Sequence, residues 1–413
     1  MRIADGVGIL IGLSGRNTAS DIYHFCVVTS SAGRNAYFVL AAWIAVDVNH
    51  GTGAIAVLLA LGSAAELLTS NIGGALIDRF DRRMVCMVCD LFRLVLMLTT
   101  GLGFLFADPL IVLYLSWTIF AIVDRTYSTS LQALIPSIAR AENLGSFNSS
   151  AYIGMQAGNL LAAIITGFML SNAGRELAPL LPSGFFVLSL LGLLSMSSIR
   201  QHSAAHHRAK SGDIRRSDLL PTTFALGSLK TGAAMYGLIY AMGMFVNMLA
   251  SAYVIRELGG TSLQFGCLEA AWAVGSIAGC AIFLLGSWFW RLQNILVHLV
   301  LAGMFLLGFW LYQSFVFALI QMTILGLSYN IARVLIDVQV QSTVSIDALG
   351  RARSQIHTVC VATGLLACGI IGVFGNAILP SEIFGLFGTV MIAAALFFCF
   401  RMNRGGSAES RLI

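Results

Sequence analysis

Apolar stretches of about 20 residues recur along this chain, separated by short polar breaks. That is the length a helix needs to cross the hydrocarbon core of a bilayer. Twelve candidate spans lie between the breaks, at 22–46, 53–77, 85–106, 109–131, 148–170, 183–199, 230–254, 263–287, 292–312, 315–338, 354–378 and 383–400. Apolar residues make up 58% of the chain and charged residues 10%, against about 25% charged in an ordinary soluble domain. The mean hydropathy is +0.85. A water-soluble fold of 413 residues could not hide that much apolar surface. A soluble enzyme and a disordered regulator are both excluded, and an all-α membrane protein of twelve transmembrane helices is expected.

The basic residues orient the spans. With both termini inside, the inner loops and tails hold 17 Lys and Arg, and the outer loops hold two, Arg175 and Arg256. Such a split places the inner side in the cytoplasm. The net charge of +5 is therefore a topological signal, and no nucleic-acid binding is expected. The N-terminal stretch is read as a cytoplasmic tail. The longest loop, 200–229, follows span 6 and divides the chain into 1–199 and 230–413, six spans each. The two halves look related. The motif from Gln132 to Gly145, QALIPSIARAENLG, has a shorter counterpart from Gln341 to Gly350, QSTVSIDALG. Gly158-Asn-Leu-Leu-Ala likewise recurs as Gly364-Leu-Leu-Ala. A duplicated six-span unit is the economical reading, and transporters are often built from such repeats.

Between spans 2 and 3 lies Gly73-Gly-Ala-Leu-Ile-Asp78-Arg79-Phe-Asp81-Arg82-Arg83. Gly74 permits close helix approach, Asp78 can pair with an Arg or cap a neighbouring helix, and Arg79, Arg82 and Arg83 hold the loop inside. This stretch resembles the signature loop of the major facilitator superfamily, G-x-x-x-D-R-x-G-R-R, with Asp81 where the pattern prefers Gly. Together with Asp90-Leu-Phe-Arg93 it is similar to the branch of that family containing macrolide effluxers and the enterobactin exporter. Further likeness lies in Leu134-Ile-Pro136, in Glu269-Ala-Ala-Trp272 and in Gly350-Arg351-Ala-Arg353. The resemblance implies two six-helix bundles, with alternating access around a central cavity lined by spans 1, 4, 7 and 10. The second-half counterpart of the loop, Leu285 to Arg291, is degenerate.

Ionisable residues inside spans are costly and mark functional positions. Arg34 lies near the middle of span 1, where it either contacts substrate or forms a structural ion pair. Glu66, at similar depth in span 2, either pairs with Arg34 or carries a coupled proton. Arg125 in span 4 and Arg333 in span 10 occupy equivalent places 208 residues apart. They create a positive funnel unless each is paired, and Asp337 is within reach of Arg333 on one helix face. Asp124 points away from its neighbour Arg125 and needs another partner. Asp90 and Arg93 share a face of span 3 and are expected to lock the adjoining loop. Glu269 in span 8 is a second candidate for gating or proton coupling. Tyr240 and Asn247 on span 7 either line the cavity or sit at helix contacts.

Nothing else points to other chemistry. The eight Cys sit mostly in apolar runs, and the Cys86/Cys89 pair has no second pair near it. His202, His206 and His207 read as a solvated loop. No phosphate-binding loop of the ATPase type appears. No cofactor and no metal are expected. The expected function is a proton-coupled secondary exporter in the inner membrane, acting as a monomer on a small organic anion, with a siderophore-like compound first. A macrolide or multidrug effluxer, an uptake system and a non-transporting scaffold are the alternatives.

Overall fold

In lipid every backbone N–H and C=O must be satisfied within its own segment, so each apolar stretch becomes a helix. The computed structural model describes residues 18–49, 52–138, 144–196, 230–284, 294–343 and 346–404. Side chains at 18, 49, 67–79, 136–137, 144–146, 230–233, 282–284, 337–343, 346–359 and 401–404 lie outside that description. Among the described residues there are twelve helices and no strand. The first half contains α1 (Thr18–Asn49), α2 (Gly53–Arg79), α3 (Arg82–Phe106), α4 (Pro109–Ile138), α5 (Leu144–Leu177) and α6 (Leu180–Ser195). The second contains α7 (Lys230–Arg256), α8 (Ser262–Leu284), α9 (Ile295–Leu311), α10 (Phe315–Thr343), α11 (Ile346–Phe374) and α12 (Pro380–Arg404).

Each expected span is occupied by one helix. The sixth starts three residues earlier than its apolar pattern suggests, at Leu180, and has 16 residues. Several helices outrun their apolar cores: α1 has 32 residues and α5 has 34. In α5 the regular helix breaks at Gly174, whose φ of 78° is open to glycine and strained for most other residues.

Helices of the first half pack on one another, α1 against α5 and α6, α2 against α4, and α3 against α4 and α6. Those of the second half do likewise, α8 against α10 and α9 against α12. Across the halves the main pairs are α5 with α8 and α2 with α11. These pairs exchange when the halves are exchanged, the relation a duplicated unit requires. Lipid supplies no hydrophobic drive between helices, so close contact relies on small residues. A Cβ on Gly266 would stand 2.4 Å from the Ala163 carbonyl oxygen, and one on Gly275 only 1.8 Å from that of Thr323. These glycines set the α5–α8 and α8–α10 spacings.

The end carrying the short turns α1–α2, α5–α6, α7–α8 and α11–α12 is closed across the halves. The Gly53 amide donates to Asn376 Oδ1 at 3.1 Å. The Ser171 and Ser262 hydroxyls are 2.8 Å apart, and Ser262 donates to the Gly167 carbonyl at 3.0 Å. Below them the Trp43 and Phe265 rings stack at 6.1 Å.

Candidate functional site

The intramembrane charges of the first half converge on one buried side chain. Arg93 of α3 is fully buried. It pairs with Asp90 on its own helix, with Asp124 of α4 at 2.7 Å and with Ser30 of α1 at 3.1 Å. Its guanidinium lies between two aromatic faces, 3.8 Å from the Tyr127 ring centre and 4.4 Å from that of Phe186. Asp90 also accepts from Ser189 of α6 at 2.7 Å, and Ser189 shares a 2.9 Å hydrogen bond with Tyr127. Four helices are tied through this one guanidinium. The pairing of Asp90 with Arg93 follows from their spacing, and its described partners lie within the bundle. It turns inward and holds α1, α3, α4 and α6 together.

Asp124 is the bridge from this buried knot to the space between the halves. Its second oxygen lies 4.0 Å from Arg34 Nη1. The partner that Asp124 needed is thus Arg93, and the near carboxylate of Arg34 is Asp124 instead of Glu66. Glu66 has Asp124, Arg125 and Arg34 as its charged neighbours at longer range. Three Arg and three carboxylates formally cancel here, but the geometry is uneven. Both Asp side chains engage Arg93 closely, which leaves Arg34 and Arg125 facing Glu66.

Arg125 is exposed although it sits near the middle of α4. Among the described residues no carboxylate comes within 4.0 Å of it. Its electrostatic neighbours are Glu66 of α2 and Tyr240 of α7, so it faces the other half. Tyr240 feels Glu66, Arg125 and Arg333 together, which places it between the cationic positions of the two halves. Arg333 of α10 donates to the Tyr152 hydroxyl of α5 at 3.5 Å and lies 5.1 Å from its ring centre. Asn247, two turns further along α7 than Tyr240, is half-buried. Glu269 of α8 is buried, and its Oε1 has no hydrogen-bond partner among the described residues.

At the opposite end from the short turns, Arg82 donates to the Ala133 carbonyl of α4 at 2.7 Å. Arg83 donates to the Leu193 and Leu194 carbonyls, at 2.8 and 3.1 Å, in the last turn of α6. In the last turn of α6 a cation adds a partner to carbonyls at the end of the helical ladder. Asp81 caps α3, its Oδ1 accepting from the Met84 amide at 3.1 Å. Gly74 and the side chains of Asp78 and Arg79 fall in the part of α2 outside the described residues, as does the side chain of Asp337. The loop 200–229 and its three His lie outside them as well.

The family model described as Major Facilitator Superfamily matches residues 23–367. The chain belongs to the major facilitator superfamily. A curated relative, the enterobactin exporter EntS of Citrobacter koseri, is 24% identical over 246 residues. That match covers 56% of this chain and 55% of the relative, so the chain spans about half the length of the protein it matches. Two solved structures share the fold. The nucleoside transporter NupG superposes with a TM-score of 0.67 at 13% identity, covering 93% of this chain and 98% of that one. A bacterial homologue of the iron transporter ferroportin, in an inward-facing state, gives 0.70 at 16% identity, covering 93% and 98%.

In this superfamily member the departure at Asp81 has a local reason. Where the general loop has Gly, an Asp supplies a side-chain cap for α3. The sequence reading missed Tyr152, Gln156 and Asn159. Their spacing of four and three puts them on one face of α5, a polar stripe in an apolar helix, and that periodicity was the available signal.

Proposed function

We propose that the protein is a proton-coupled secondary exporter of a small organic anion, with a siderophore-like compound as the first candidate. The observation that carries this reading is Arg125, exposed at mid-helix between the halves with no carboxylate within 4.0 Å among the described residues. An unpaired cation at that depth is costly unless it meets an anion or water. Arg34 and Arg333 flank the same space, and Tyr240 and Asn247 add hydrogen-bonding groups. Cationic macrolides would meet repulsion there, so the multidrug alternative ranks second. The relative's role as an enterobactin exporter agrees with the choice of substrate and direction. The chain works as a monomer in the inner membrane, and its basic loops favour both termini in the cytoplasm.

Glu66 and Glu269 are the proton carriers in this scheme. Glu66 has Arg34 and Arg125 as longer-range charged neighbours, so its protonation and substrate charge are linked. Glu269 is buried with an unsatisfied oxygen, beyond reach of a described salt bridge. A carboxyl in such a place must take a proton or a cation.

Inverted membrane vesicles with an acidified lumen test both points. With labelled enterobactin, citrate and erythromycin outside, an anion accumulates and erythromycin does not. Arg125→Ala lowers apparent affinity for the accumulated compound about 10- to 100-fold, the loss of one charge-assisted contact. Accumulation that ignores the pH gradient, or an Arg34→Ala, Arg125→Ala double variant with unchanged transport, sinks the proposal. Glu269→Gln keeps substrate exchange across the membrane but loses gradient-driven accumulation. If the variant still concentrates substrate, Glu269 carries no coupled proton.

A further inference from the structure

A single hydrogen-bonded chain runs from the first half into the second. Asn35 of α1, next to Arg34, donates to the Asn159 carbonyl at 2.9 Å. The Asn159 side-chain Nδ2 donates to Gln156 Oε1 at 3.1 Å, and Gln156 Nε2 donates to the Tyr152 hydroxyl at 2.9 Å. Tyr152 donates in turn to Asn330 Oδ1 of α10, and Asn330 donates to the Gly326 carbonyl at 3.1 Å. Arg333, one turn along, donates to the same hydroxyl at 3.5 Å. A phenolic oxygen has one proton to give and two lone pairs to fill. Here all three are engaged, one outward to Asn330 and two inward from Gln156 and Arg333.

The saturated hydroxyl therefore ties α5 of one half to α10 of the other at the level of the cationic site. The closed short-turn end lies far along α5, where Ser171 meets Ser262 of α8. If the halves rock about that end, the Tyr152 bridge must break. A neutral phenol is a weaker acceptor for a guanidinium than an anion is.

We infer that Tyr152 is a ligand-released latch: its hydroxyl holds α5 to α10 through Asn330 and Arg333, and an anion that takes Arg333 removes one of these bonds and loosens the bridge. The release step rests on the anion reading above, while the latch itself rests on the hydrogen bonds alone. Tyr152 is a positioning residue for Arg333. Loading is thereby coupled to the parting of the halves through one oxygen atom.

A native reporter stands beside the bridge. Cys280 of α8 is half-buried and is an electrostatic neighbour of both Tyr152 and Arg333. Its alkylation by N-ethylmaleimide, followed by peptide mass spectrometry on the full chain, reads how often the bridge opens. Tyr152→Phe keeps the ring over Arg333 and removes only the oxygen. In ligand-free protein it speeds Cys280 labelling about fivefold or more, the effect of losing one or two net hydrogen bonds. Asn330→Leu breaks the bridge from the other side and gives the same acceleration. Ligand-free labelling at the wild-type rate in both variants overturns the latch.

Enterobactin and citrate probe the release step. A compound that binds, as read by a thermal shift, speeds Cys280 labelling in wild type and adds nothing in Tyr152→Phe. Binding without faster labelling overturns the release step and leaves the anion reading intact. Absence of any anion binding overturns the anion reading and the release step, while the ligand-free variants still decide the latch.

Discussion

Replacing Arg93 with leucine will destabilise the folded protein by about 3–5 kcal/mol, the cost of leaving buried carboxylates without their counter-charge. Asp90 and Asp124 both depend on this guanidinium, and each is at least mostly buried. Asp90 keeps its hydrogen bond from Ser189, but among the described residues Asp124 retains only the 4.0 Å contact with Arg34. The measurement is thermal unfolding in detergent micelles, followed by the yield of monodisperse protein. The double variant Arg93→Leu, Asp90→Leu removes charge from both sides and recovers part of the loss. A single variant as stable as wild type would mean that the knot is incidental to the fold. The same variant perturbs the cationic site, because Asp124 is then free to draw Arg34 toward itself.

Gly275→Ala will be nearly as damaging for a different reason. The added methyl would sit 1.8 Å from the Thr323 carbonyl oxygen, with the Leu327 amide nitrogen 3.0 Å away. Both are backbone atoms of α10 and cannot rotate aside, so the helices must separate along their contact. Overpacking of this kind costs about 1–3 kcal/mol and more where backbone must move. The control is Gly184→Ala in α6, where a Cβ meets nothing within 4 Å. There the gain in helix propensity stabilises by about 0.5–1 kcal/mol. Equal unfolding temperatures for the two variants would show that α8 and α10 are not set by this contact. Because α10 carries Asn330 and Arg333, the first substitution also shifts the site.

Much of this was legible in the residues. Each of the twelve helices occupies an apolar stretch visible by inspection, and the signature loop with Asp78, Arg79, Arg82 and Arg83 pointed to the family. The spacing of Asp90 and Arg93 announced their pairing, and the angle between Asp124 and Arg125 announced that Asp124 bonds elsewhere. The partner itself was not legible. Asp124 meets Arg93 on another helix, 31 residues away, because α3 and α4 are rotated so that these faces oppose. The reading that Arg34 could pair with Glu66 rested on similar depth alone, and depth does not say which way a helix is turned. Tyr152 carried no motif, and its role depends on α5 and α10 meeting across the halves.

From the sequence alone came the class, the number of spans and the expected orientation. Each follows from local properties, since hydrocarbon admits only self-satisfied helices and basic residues stay on one side. Tertiary structure decided which intramembrane charge answers which. Arg93 is enclosed by two carboxylates and two rings, whereas Arg125, a few turns away on the neighbouring helix, stands open toward the other half. That division depends on the rotation and crossing of whole helices. These are set by contacts such as Gly275 on Thr323, between residues far apart in the chain, and not by any period within one span.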